Sequence, residues 1–292
     1  MCDEYTESDI DRALASGNEL SRREFGKLSA ALGLGAVLPR VANALEVQGM
    51  DVEVMTPDGS ADCFYVHPSA GKHPGILIWP DILGLRPAFR DMATRLAQSG
   101  YSVLVVNPYY REARSPVVGK GASFRQPETR EIVLPLARTL SAKTHFIDAK
   151  AFVAFLDKQG SVDKSKKIGT SGYCMGGPIV MRTAAAVPER IGAIASFHGG
   201  GLVTDNPDSP HLLIPDTKAW ALHAVAENDD EKDPQAKQVL REAYDAAGIP
   251  AEVEVYEGTL HGWCPPDSVV YDEAQAEKAW SRMLFLFKNA LA

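Results

Sequence analysis

Two short runs, Ile76-Leu77-Ile78-Trp79 and Val103-Leu104-Val105-Val106, are apolar at every position. A strand with one wet face alternates apolar and polar residues. A strand apolar on both faces must be covered on both, as the inner strands of a parallel sheet are. Between the two runs, residues 86–99 carry Phe89, Met92, Ala93 and Leu96 at helical spacing and end at Gly100, a helix stop. The alternation continues, with strand patterns at 167–171, 193–197, 219–226 and 251–256 and helical patterns at 144–158, 176–186, 234–247 and 272–289. Upstream, 52–55 and 63–67 flank Pro57-Asp58-Gly59, which reads as a hairpin turn. The expected architecture is an α/β fold: a mostly parallel, doubly wound sheet with helices on both faces and an N-terminal antiparallel hairpin. The stretch 109–135, broken by Pro116, Gly119, Gly121 and Pro127, follows a strand end. It is expected to be a long loop forming a cap or rim over a site there.

Residues 1–44 do not share this pattern. An acidic start leads to Arg22-Arg23, the apolar stretch 28–38, Pro39-Arg40 and the small-x-small run Ala42-Asn43-Ala44. That order is the layout of a bacterial export signal and resembles a twin-arginine (Tat) leader. The sequence therefore predicts an export leader at 1–44, a single α/β domain at 45–292, passage through the Tat machinery and a periplasmic location. The net charge is −8, without a long basic block, which argues against nucleic acid as the partner. No apolar run approaches the roughly 18 residues of a membrane span. Scattered histidines and the absence of a dinucleotide or phosphate-loop pattern predict no cofactor and no metal.

The chemistry is concentrated in Gly172-Tyr173-Cys174-Met175-Gly176-Gly177, between a strand and a helix. Glycine-x-nucleophile-x-glycine in that frame is a nucleophile elbow. A sharp strand-to-helix turn has no room for side chains two positions either side of the nucleophile. It lifts Cys174 to a helix N-terminus, where the dipole favours a thiolate. The following amide, that of Met175, is then aimed where an oxyanion would form. A thiol nucleophile needs a base, and the base a carboxylate, in the chain order nucleophile, acid, histidine. His261 lies in the loop after the last strand. His198 also ends a strand but precedes the acid loop, so it is read as a wall residue; His223 falls inside a strand and reads as core. The acid loop offers Asp229, Asp230 and Asp233 with Glu227 nearby; Asp229 has the best offset from the strand end, with Asp230 left open.

These residues, with Trp79-Pro80-Asp81-Ile82-Leu83-Gly84-Leu85 and Arg90-Asp91, resemble the dienelactone hydrolase family of α/β hydrolases over most of residues 50–290. The resemblance implies a Cys174-His261-Asp229 triad that cleaves esters or lactones through an acyl-enzyme, with the amides of Met175 and Ile82 as the oxyanion hole. It also implies a small ester or lactone as substrate. The family's type enzymes have a glutamate at Asp81 that holds the resting thiol, and an arginine shortly after the histidine that clamps a substrate carboxylate. Here Asp81 is one methylene shorter, and Trp263-Cys264-Pro265-Pro266 follows His261. Arg125 or Arg130 is the available clamp, and a larger or less anionic substrate is expected. Two other classes compete with the hydrolase: a thiol redox or sensor protein pairing Cys174 with Cys264, and a non-catalytic binding module on the same fold.

Overall fold

The computed structural model describes Leu38, Val41 and residues 44–292; the leader reading for 1–44 lies almost wholly outside these residues. One eight-stranded sheet runs through the described chain: β1 (Val47–Thr56), β2 (Gly59–Pro68), β3 (Gly75–Trp79), β4 (Ser102–Val106), β5 (Ile168–Tyr173), β6 (Ile191–Phe197), β7 (Trp220–Ala226) and β8 (Ala251–Tyr256). Their spatial order is β1-β2-β4-β3-β5-β6-β7-β8. β2 pairs antiparallel with both β1 and β4, and all later pairs are parallel. Among the described residues the helices are α1 (Pro87–Gln98), α2 (Pro127–Arg138), α3 (Ala142–Leu156), α4 (Gly176–Ala186), α5 (Glu227–Lys232), α6 (Ala236–Ala247) and α7 (Glu273–Ala290), with one 3-10 turn at Pro210–Asp216.

The all-apolar strands feed two cores, one on each face. Ile76, Ile78, Val103 and Val105 pack with Phe89, Met92 and Leu96 of α1 and with Trp280, Met283 and Phe287 of α7. Their neighbours Leu77, Trp79, Leu104 and Val106 pack with Phe152 and Leu156 of α3, Ile179 and Val180 of α4, and Leu240 and Tyr244 of α6. Successive side chains of a strand point to opposite faces, so a run apolar at every position serves both cores at once.

The strand order reverses between β3 and β5: from β3 the chain winds out to β4, and from β5 in the opposite direction. Loops leaving such a pair diverge and leave a crevice at the strands' carboxyl ends. The turn Asp81–Gly84 follows β3, and Cys174 follows β5. Two expectations change in detail. The stretch 109–135 is irregular only as far as Gln126, because Pro127 begins α2; proline in a first helical turn lacks only an N–H that would go unbonded there. The acid loop is itself a short helix, α5.

Candidate active site

Cys174 has φ 52°, a conformation a non-glycine residue adopts at a cost of order 1 kcal/mol or more. The surrounding backbone holds it there: its N–H donates to Phe197 O (3.0 Å), and Gly177 N–H donates to Cys174 O (3.0 Å). The elbow glycines are sterically required. A Cβ on Gly172 would lie 2.1 Å from the carbonyl oxygen of Gly176, and one on Gly176 would lie 2.5 Å from the carbonyl oxygen of Trp79 at the end of β3. The sulfur-bearing residue therefore stands at the start of α4, beside the strand that leads into the turn of Asp81 and Ile82.

Cys174, His261, His198, Asp81 and Ile82 line one pocket that is partly open to solvent. Leu83, Phe124, Val269 and Val270 make much of its wall apolar, and Arg86, Arg125 and Asp267 add charge. Residues 122–125 form one side, so the long stretch after β4 does provide a rim.

His261 is fixed from two directions. Its Nδ1 lies 2.6 Å from Asp229 Oδ2, and its backbone N–H donates to Asn228 Oδ1 at 2.8 Å. Both partners come from the first turn of α5, directly after β7. Asp230, the alternative acid, is instead held by Lys237 Nζ at 2.7 and 2.5 Å. Glu227 accepts the Gly258 N–H at 3.0 Å. Which of these neighbours meets His261 is set by direction: successive residues in a helical turn face about 100° apart. Asn228 was not anticipated, although its place beside the acid was a usable signal.

His198 is buried beside this pair at φ 39°. Its ring centroid is 5.1 Å from that of His261, in an edge-to-face arrangement. Burial, and then the neighbouring His261, push its pKa well below the ordinary imidazole value, so it is a neutral wall of the pocket. His223 lies in β7 with Nε2 3.0 Å from the Tyr244 hydroxyl, and burial lowers its pKa to about 4; it is core, as read from the sequence.

Ile82 sits in the turn after β3, where its carbonyl accepts from the Tyr109 hydroxyl at 2.8 Å. The same hydroxyl approaches Met175 Sδ at 3.3 Å, so one buried tyrosine touches both residues expected to supply oxyanion amides. Asp81 does line the pocket, but both its oxygens are engaged by Arg86 (2.7 and 2.9 Å). This arginine, unassigned from the sequence, takes the Asp81 carboxylate expected to pair with the thiol. Arg130 is placed differently from its expected role. It lies on α2 and donates to the carbonyls of Phe124 and Arg125 (3.2 and 2.8 Å), bracing the rim, whereas Arg125 reaches the pocket wall. Cys264 is a free thiol in the core against Tyr173, Phe197 and Trp280. It does not line the Cys174 pocket, and burial pushes its pKa up. The Cys174–Cys264 bridge of the redox reading is not formed.

Comparison with known proteins agrees with this architecture. A Methylorubrum extorquens protein named "putative carboxymethylenebutenolidase" is 28% identical over 290 residues, covering 95% of this chain and 96% of that one. The carboxymethylenebutenolidase of Rhodococcus opacus is 25% identical over 237 residues, covering 78% and 86%. The crystal structure of a "putative dienelactone hydrolase" from Klebsiella pneumoniae superimposes with a TM-score of 0.71 at 20% identity, covering 83% and 99%; at that identity it supports the fold. The model of the dienelactone hydrolase family matches residues 61–291. Because that stretch contains the elbow, the acid turn and the histidine loop together, the chain belongs to the dienelactone hydrolase family.

Proposed function

We propose that this protein hydrolyses carboxylic esters or lactones through a cysteine acyl-enzyme. The observation that carries the reading is the 2.6 Å Asp229–His261 contact on the wall of the pocket that Cys174 lines from a positive-φ elbow. Asp229 occupies Nδ1, so with Cys174 in its reduced form the proton leaving the thiol passes to Nε2 of His261. The sulfur bonds to the substrate carbonyl carbon, and the carbonyl oxygen takes the negative charge within reach of the Met175 and Ile82 amides. Collapse expels the alkoxide, which takes the proton from His261. Water, deprotonated by the same imidazole, then attacks the thioester, releases the acid and returns the proton to sulfur. The relatives' names specify a butenolide bearing a carboxymethylene group. The apolar wall of Ile82, Leu83, Phe124, Val269 and Val270 supports an acyl group or ring of modest size.

Turnover of short aryl esters and lactones by the purified protein tests this. Cys174→Ala is expected to abolish it, and Asp229→Asn to lower kcat by about 10⁴-fold, as loss of the orienting carboxylate does in serine triads. Activity that survives Cys174→Ala rejects the assignment. We also propose export by the Tat route to the periplasm, on the order Arg22-Arg23, apolar stretch and Ala42-Asn43-Ala44. Retention of an Arg22→Lys/Arg23→Lys precursor in the cytoplasm is its test.

A further inference from the structure

Arg86 carries five N–H donors, and each has an acceptor. Nε donates to Asp267 Oδ2 (2.7 Å). Nη1 donates to Asp81 Oδ1 (2.7 Å) and Gly84 O (3.3 Å). Nη2 donates to Asp81 Oδ2 and Asp267 Oδ1 (2.9 Å each). One face of the guanidinium lies over the Phe89 ring, 4.9 Å from its centroid. The side chain is 7% exposed, against 12% for Asp81 and 44% for Asp267. Although Arg86 lines the pocket, it has no donor left for a substrate carboxylate unless one of these bonds breaks.

Its partners belong to two different segments of the site. Asp81 and Gly84 bracket Ile82 in the turn after β3, and Asp267 lies six residues beyond His261. Within the turn, Gly84 N–H donates to the Asp81 carbonyl (2.9 Å), and Leu83 N–H donates to Asp81 Oδ1 (2.9 Å). The Asp81 carbonyl and the Ile82 N–H belong to one planar peptide and point in opposite directions. Fixing that carbonyl therefore fixes the direction of the Ile82 N–H. Arg86 grips the turn at the Asp81 carboxylate and at the Gly84 carbonyl, and grips the histidine loop at Asp267.

We propose that Arg86 is a positioning residue that ties the turn presenting the Ile82 amide to the loop presenting His261, and that it is not a clamp for a substrate carboxylate. The proposal rests on the hydrolase reading above. It is tested with two substrates of matched leaving group, neutral p-nitrophenyl butyrate and the carboxylate-bearing mono-p-nitrophenyl succinate. A positioning role predicts that Arg86→Gln lowers kcat by about 10–100-fold on both esters, the scale of a misplaced oxyanion donor, with each KM within about threefold of wild type. Asp267→Asn, which releases only the histidine-loop half, is expected to lower kcat by roughly 3–10-fold on both. Arg86→Gln strands the Asp81 carboxylate. The double variant Arg86→Gln/Asp81→Asn, which leaves no stranded charge, is measured alongside and is expected to show the same charge-independent loss. A KM increase confined to the succinate ester would identify a clamp and overturn the proposal, as would an unchanged kcat in both Arg86 variants. These results are separable from failure of the hydrolase reading, in which the wild type turns over neither ester or Cys174→Ala keeps the rate; that outcome overturns both.

Discussion

The elbow geometry makes Gly172→Ala a demanding test. The added methyl carbon would sit 2.1 Å from Gly176 O, 2.4 Å from Gly176 C and 2.8 Å from Val180 Cγ1. Ordinary contacts lie at about 3.5 Å, so the gap must open by roughly an ångström or more. Two of the three atoms are backbone of the first turn of α4 and cannot rotate aside. Overpacking usually costs about 1–3 kcal/mol, and a clash against main chain belongs at or above the top of that range. For a domain of this size, about 3 kcal/mol corresponds to roughly 6–12 °C in melting temperature. Relief of the clash moves the turn that carries Cys174, and a displacement of about 1 Å at a reacting group costs on the order of 10² in rate. Gly160→Ala is the control, because a Cβ there meets nothing within 4 Å. Thermal melts and p-nitrophenyl ester kinetics on both variants read the two effects. A Gly172→Ala protein melting within 2 °C of wild type, with kcat/KM within threefold, would refute the claim that the elbow requires glycine.

Two further outcomes follow from buried groups. Burial holds His223 near a pKa of about 4, and burial with Arg182 and Arg111 holds His145 near about 3, whereas an unfolded imidazole titrates near about 6.5. Between those values the unfolded chain binds protons that the folded one refuses. Stability is therefore full above about pH 6.5 and falls as pH drops, by up to roughly 1.4 kcal/mol per pH unit for each histidine. Urea midpoints measured from pH 7 to 5 should show this slope, and His223→Gln should flatten it; an identical slope in the variant discards the assignment. Cys264→Ala should keep ester turnover within about threefold while losing about 1–2 kcal/mol from the core beside Trp280. Loss of turnover without loss of stability would return Cys264 to the chemistry.

Much of this architecture is legible in the sequence because it follows from short-range pattern. Strands apolar on both faces specify a sheet buried on both sides, and a cysteine framed by Gly172 and Gly176 between strand and helix specifies the elbow. The order Cys174, Asp229, His261 narrows the acid to a few neighbours. What escaped had either too short a period or misleading composition. α5 is only six residues long, less than two turns. α2 contains Pro127 and Pro135, which in a linear reading mark a loop, yet Pro127 falls in the first turn, where proline fits.

Which residue types lie at the strand ends can be read along the chain, because burial period and backbone sterics act within a few residues. The sequence alone could not determine which charged groups meet there. Arg86 and Asp267 are 181 residues apart in the chain, and Asp229 and Asp230 differ by one position yet face His261 and Lys237 respectively. Electrostatic partnership depends on direction and distance in space. Only the winding of the sheet about β3 and β5 brings the Asp81–Gly84 turn, the elbow and the histidine loop to one crevice, and only that packing gives Asp81 to Arg86.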